Sequence, residues 1–174
     1  MQTALTLEVP ELDAVVDEHR KLLDPARGRG MMAHITVLYP FIHTGDLTDA
    51  ALDALTSIAT ETPPFDAMFG EVRWFGSDIA WLAPTPEEPF VALTRRIVER
   101  FPSYQPYGGA FGDIIPHATI GHRGTQQSGL DAAVRQVERQ LPVSASVRRL
   151  SLLVREPSTD QWELLRRFAL GVTP

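Results

Sequence analysis

Along the opening TALTLEV, apolar Leu5, Leu7 and Val9 recur every second residue, a period that predicts a strand. Pro10 ends it and suits the first turn of a helix. Leu12, Val15, Val16, His19, Leu22 and Leu23 follow at three- and four-residue spacing, the stripe of an amphipathic helix. After the breaker-rich DPARGRG, the run AHITVLYPF predicts a second strand, closed by Pro40. Residues 46–60, rich in alanine and leucine, predict a helix with its start signal between Thr44 and Thr48. Past PPF, strand candidates at 65–75 and 78–83 flank Gly76-Ser77 and predict an antiparallel hairpin. A helix is predicted over 87–100 with Phe90, Leu93, Ile97 and Phe101 on its apolar side. The loop PSYQPYGGAFGD leads into a strand at PHATIG, and 126–140 predicts a helix that turns Leu130, Ala133, Val134, Val137 and Leu141 inward. VSASVRRLSLLVRE and QWELLRRFAL, joined at residues 157–160, are read as a final hairpin, although WELLRRFAL also has the propensity of a helix.

The order is strand, helix, strand, helix, hairpin, then helix, strand, helix, hairpin. The second half repeats the first in element order but not in residue identity. An α+β fold with two related lobes is expected, within a single domain spanning 1–174. Composition changes this picture only by exclusion. The net charge of −6 argues against a broad nucleic-acid surface, while a few local arginines can still build a phosphate pocket. Lys21 is the only lysine, so such a pocket would use guanidinium groups. The absence of cysteine removes disulfides, thiolate nucleophiles and Cys-based zinc sites. No apolar run reaches the roughly 18 residues of a membrane span, and the N-terminus does not read as a signal peptide. A cytoplasmic protein is expected, with no membrane association and no obligate protein partner.

Two of the predicted strands carry the candidate chemistry. His34-Ile35-Thr36 and His117-Ala118-Thr119 each place an imidazole and a hydroxyl two residues apart, hence on one strand face. One such motif is most simply a packed histidine beside a residue that favours strands. Two, in corresponding halves of a repeat, point to shared chemistry. Imidazole titrates near neutrality, so one ring can be a base while its partner is an acid, the requirement for concerted proton transfer across a phosphodiester. Threonine hydroxyls beside them would donate to the non-bridging phosphate oxygens.

The paired His-x-Thr strands, the first running into LYPF and the second reading PHATIG, resemble the 2H phosphoesterase superfamily. Within it the chain is similar to bacterial proteins of the 2′-5′ RNA ligase family. LLDPARG, PPFDAMFGEVRWFG and IAWLAP add to the match, which covers nearly the whole chain. The resemblance implies a bilobal, pseudo-symmetric fold in which two antiparallel sheets face a central cleft with helices outside. It further implies metal-independent cleavage of a 2′,3′-cyclic phosphate or a 2′-5′ linkage, with ligation of RNA ends as the reverse reaction, and no cofactor. Carried over residue by residue, it marks His34 and His117 as catalytic and Thr36 and Thr119 as phosphate-binding. Relatives place a basic residue directly after the second motif. Here His122 intervenes before Arg123, so either is a candidate for the phosphate.

His43, Tyr104 and Tyr107 are candidates for the substrate rim, with a nucleotide or RNA terminus as the expected ligand. Trp74 and Trp81 read as core. Four histidines (His34, His43, His117, His122) lack any ligand spacing typical of a metal site. The competing reading is a nucleotide- or RNA-end-binding module with little turnover.

Overall fold

The computed structural model describes residues 1–110, 112–125 and 129–172. Among the described residues, eight strands form two four-stranded antiparallel sheets. The first contains β1 (Thr3–Glu8), β2 (His34–Leu38), β7 (Arg149–Arg155) and β8 (Trp162–Ala169), in the order β2-β1-β7-β8. The second contains β3 (Phe65–Phe75), β4 (Ile79–Thr85), β5 (Ala118–His122) and β6 (Val143–Val147), in the order β5-β4-β3-β6. Both motif strands, β2 and β5, are therefore edge strands. They lie against one another where the sheets meet.

The two halves of the chain are interleaved rather than stacked as separate lobes. The β3–β4 hairpin, from the first half, pairs with β5 of the second, whereas β7 pairs with β1. VSASVRRLSLLVRE, expected as one strand, divides at Arg148: β6 pairs with β3 and β7 crosses to the other sheet. The reason is a slip in the two-residue period. Ala145 and Val147 are buried on odd positions, Leu150, Leu152 and Val154 on even ones. One straight strand cannot bury both sets on the same face. WELLRRFAL is a strand, because β8 completes the ladder along β7 and tertiary pairing overrides its helical propensity.

The helices that cover the sheets are α1 (Asp13–Leu23), the one-turn α2 (Pro25–Gly28), α3 (Asp49–Glu61), α4 (Glu88–Arg100) and α5 (Gly129–Glu138). The first three residues predicted for α5, Gln126, Gln127 and Ser128, lie outside the described residues. Thr48 caps α3 by accepting a hydrogen bond from the Ala51 amide at 3.2 Å. Helices α3 and α4 rest on the first sheet through β8 and β2, while α1 and α5 rest on the second. Leu5, Leu7, Ile35, Val37, Leu150 and Leu152 form the buried side of the first sheet. The opposite residues of the same strands face the cleft.

Helix α1 differs from its sequence reading. Leu12, Val16 and Leu23 are buried, but Leu22 is exposed and Arg20 is buried instead. Arg20 occupies the slot four residues after Val16, and Asp24, four residues further, receives its guanidinium at 2.8–2.9 Å. The end of α1 approaches β5 closely at Gly121. A Cβ built there would stand 2.6 Å from the Leu23 Cβ.

Candidate active site

Each motif histidine is held the same way. His34 Nδ1 lies 2.7 Å from the Met32 carbonyl, and His117 Nδ1 lies 2.7 Å from the Ile115 carbonyl. A carbonyl only accepts, so Nδ1 carries the proton in both rings and Nε2 is left for chemistry. The strand register sets the neighbours. His34 lies opposite Glu8 and Thr36 opposite Thr6, while Thr119 lies opposite Trp81. His117 immediately precedes β5 and is boxed by Phe75, whose ring meets it edge-on at 4.9 Å, and by Trp81 at 5.9 Å.

His34, Thr36, His117 and Thr119 line one cleft of about 300 Å³ between the sheets. Tyr107 bridges the two motifs: its hydroxyl lies 3.3 Å from His117 Nε2 and accepts a hydrogen bond from the Thr36 hydroxyl. With Nδ1 protonated, His117 Nε2 is an acceptor for the same hydroxyl. The Tyr107 backbone adopts φ 53°, in the left-handed region that bulky residues rarely enter. Its amide donates to the Tyr39 carbonyl at 2.6 Å, which fixes the loop against the end of β2.

Electrostatics keep both imidazoles neutral. Burial, reinforced by the Arg20 cation, pulls the His34 pKa down to about 4, against weaker support from the Met32 carbonyl and Asp24. Burial also lowers the pKa of His117, opposed by its bond to Ile115. Burial raises that of the Tyr107 phenol.

The other sequence candidates divide. His122 lines the cleft, with Nε2 3.9 Å from the Asp24 carboxylate. Arg123 is turned away from it. Its guanidinium forks onto Asp131 at 2.8 and 3.0 Å, donates to the Ser77 carbonyl at 2.7 Å and covers the Trp74 ring. His43 faces the N-terminal ammonium, 2.6 Å from Nε2, and Tyr104 packs edge-on against Phe41 at 5.4 Å, so neither lines the cleft. Trp81 is buried, as expected of a core residue, and Trp74 is half-buried. Among the described residues, no group of three or more histidine, aspartate or glutamate side chains is placed to hold a metal ion.

Several lining residues went unnoticed in the sequence: Asp24, Arg29, Tyr39, Phe75, Ile79, Arg155 and Trp162. Arg20 and Asp24 had a local signal, an oppositely charged pair at i and i+4 with one member on an apolar stripe. Arg155 and Trp162 had none, because their place in the cleft follows from β7 and β8 joining the sheet of β2.

Known proteins frame this geometry. A crystal structure of TT0787 from Thermus thermophilus matches with a TM-score of 0.65 at 18% identity, covering 98% of both chains. E. coli LigT in complex with 3′-AMP matches with a TM-score of 0.58 at 18% identity, covering 97% of each chain. At this identity the likeness concerns the fold, which is that of the 2H phosphoesterases. No curated protein matches the sequence significantly. Among the described residues no helix is long and apolar enough to cross a membrane. The model of the 2′-5′ RNA ligase superfamily matches residues 8–159, a span that holds both His-x-Thr motifs and every lining residue named above except Trp162. The chain belongs to the 2′-5′ RNA ligase superfamily, among the 2H phosphoesterases.

Proposed function

We propose that the protein is a metal-independent phosphoesterase that opens a 2′,3′-cyclic phosphate or a 2′-5′ phosphodiester on a nucleotide or RNA end. One observation carries the reading. Two histidines, each with Nδ1 committed to a carbonyl, and two threonines at i+2 share a single cleft. LigT has been solved with 3′-AMP, NADP+ and ATP, which supports a nucleotide ligand for this fold.

In the forward reaction His34 Nε2 removes a proton from water as its oxygen attacks phosphorus. His34 suits the base role because Arg20 and burial hold it neutral. The bond to the ribose oxygen breaks, and His117, protonated once the anionic substrate is bound, delivers its proton to that oxygen. Thr36 and Thr119 donate to the non-bridging oxygens, where negative charge accumulates. With an RNA hydroxyl in place of water, the same two proton transfers join ends: its oxygen bonds to phosphorus as His34 takes its proton, and the cyclic ester's bond to the ribose oxygen breaks as His117 protonates that oxygen.

The test is incubation with 2′,3′-cyclic nucleotides in EDTA, followed by chromatography. Nucleoside monophosphate is the expected product, and an intact substrate would overturn the reading. Role assignment has its own test: an aryl phosphodiester, whose leaving group needs no proton, should restore turnover to His117→Ala and not to His34→Ala. Equal rescue of both would reverse or dissolve the assignment. A binding module with little turnover is the second reading. It is favoured by the Tyr107 hydroxyl, which occupies the His117 Nε2 position that an acid catalyst needs.

A further inference from the structure

The cleft continues past the motif residues to a cationic rim that the proposed reaction does not use. Arg29, in the loop after α2, and Arg155, at the end of β7, both line it, beside Tyr39 and Trp162. Residues far apart in sequence are drawn together there. The Trp162 amide donates to the Arg29 carbonyl at 2.8 Å, and Tyr39 and Trp162 meet edge-on at 5.8 Å. Both guanidinium groups converge on Asp160. Arg29 Nε donates to Oδ2 at 2.8 Å, Arg155 Nε donates to Oδ1 at 2.6 Å, and Arg155 Nη2 pairs with the same oxygen. Asp160 itself sits at φ 59°, so the turn holds its carboxylate between the two arginines from a left-handed backbone.

A single carboxylate neutralises one of these two charges. The cluster therefore keeps a net positive charge in a cleft whose lining carboxylate, Asp24, is already balanced by Arg20, with more N–H donors than two carboxylate oxygens can accept. Its position relative to the motifs follows from the register. Thr36 lies in the row of Thr6 and Ser151, and Arg155 is four residues further along β7, about 13 Å at 3.3 Å per residue. A long arginine side chain covers much of that distance. Tyr39, between the rows, and Trp162, level with Arg155, offer aromatic surface suited to a ribose and base.

We propose that the cleft takes a substrate bearing a second phosphate group, and that Arg29 and Arg155, aligned by Asp160, hold it beside the phosphate bound at the two His-x-Thr motifs. The inference rests on the phosphate-centre reading given above. The second phosphate has two sources, a 5′-phosphomonoester on a single nucleotide or the next phosphodiester of an RNA strand.

Calorimetric binding separates them with three ligands: adenosine 3′-monophosphate, adenosine 3′,5′-bisphosphate and the dinucleotide ApA carrying a 3′-phosphate. At least one of the two-phosphate ligands should bind about tenfold or more tightly than the monophosphate. A gain with the bisphosphate alone assigns the rim to a phosphomonoester, and a gain with the dinucleotide assigns it to a strand. Arg155→Ala and Arg29→Ala should bring the affinity ratio close to one. Asp160→Asn, which removes the competing charge and suits the left-handed backbone, should raise it. Equal affinity of the wild type for all three ligands overturns the proposal, as does a ratio that survives either arginine substitution. An Asp160→Asn ratio that stays at the wild-type value overturns it even if the arginine variants misfold. Failure of the monophosphate itself to bind would sink the phosphate-centre reading, and the rim proposal with it.

Discussion

At the scale of single residues, the two histidines are alike in their backbone anchor and different in their electrostatic surroundings. Both stay neutral near pH 7, and His34 is further disfavoured as a cation by Arg20. If both act in turnover, kcat/KM should follow a bell whose limbs report the free enzyme. The rising limb belongs to His34 losing its proton near pH 4, and the falling limb to His117 below 6.5. A pH–rate profile on a 2′,3′-cyclic nucleotide should therefore peak on the acid side of 6.5, and a plateau extending to alkaline pH would contradict it. His34→Ala and His117→Ala should each lower turnover by about 10²–10⁴, with circular dichroism unchanged. Thr36→Val and Thr119→Val keep shape but remove a donor, so turnover should fall more than ground-state phosphate affinity. Tyr107→Phe deletes the hydroxyl that joins Thr36 to His117, which frees Nε2 for substrate. Stopped-flow binding of a nucleotide monophosphate should be faster in this variant if the tyrosine must first move aside.

At the scale of elements, the cleft depends on how α1 meets β5. The contact at Gly121 involves the Leu23 Cβ, which no rotamer change can move. Gly121→Ala should thus push helix and strand apart and cost about 1–3 kcal/mol, read as a lowered denaturant midpoint. The same helix carries Arg20, 1% exposed and paired to Asp24, with Nη1 lacking a hydrogen-bond partner among the described residues. Arg20→Met leaves the Asp24 carboxylate buried without its cation, a loss of about 3–5 kcal/mol. The double variant Arg20→Met/Asp24→Asn should recover most of that loss, since an amide carries no charge and still caps Ala26. Imidazole titration by NMR should also show the His34 pKa moving upward in Arg20→Met, because one of the groups that opposes its protonation is gone.

For the whole molecule, the buried imidazole links stability to pH. The unfolded chain protonates His34 near 6.5, whereas the folded protein does so only near 4. Below 6.5 the unfolded state binds more protons, so its contribution is complete above that value and is lost progressively as the pH falls toward 4. Urea titrations between pH 7 and 4 should show this decline, with a shallower slope in His34→Gln. An equal slope in that variant would assign the acid sensitivity elsewhere. The two-sheet arrangement explains why such a cost is tolerated. Edge strands β2 and β5 present both motifs at one seam, where burial sharpens every electrostatic interaction with a bound anion.

Much of this was legible in the chain itself. Element periodicity located six of the eight described strands as separate runs and merged β6 and β7 into one, and His34, Thr36, His117 and Thr119 announced themselves because polar residues at i and i+2 stand out in apolar strands. The break at Arg148 was also written there, as a change in the parity of buried positions between Val147 and Leu150. Pairing between distant strands was not. Local pattern says which face of a strand is apolar and nothing about its neighbour, so the exchange of hairpins between halves came only with the fold. The same limit hid Arg155, Trp162 and Asp160, which read as ordinary turn and surface residues until β7 and β8 joined the sheet of β2. It also misplaced Arg123, whose partners Asp131 and Ser77 lie on other elements. Side-chain periodicity is a property of the local backbone, and sequence carries it directly. The company each side chain keeps is a property of long-range packing, and only the tertiary structure decides it.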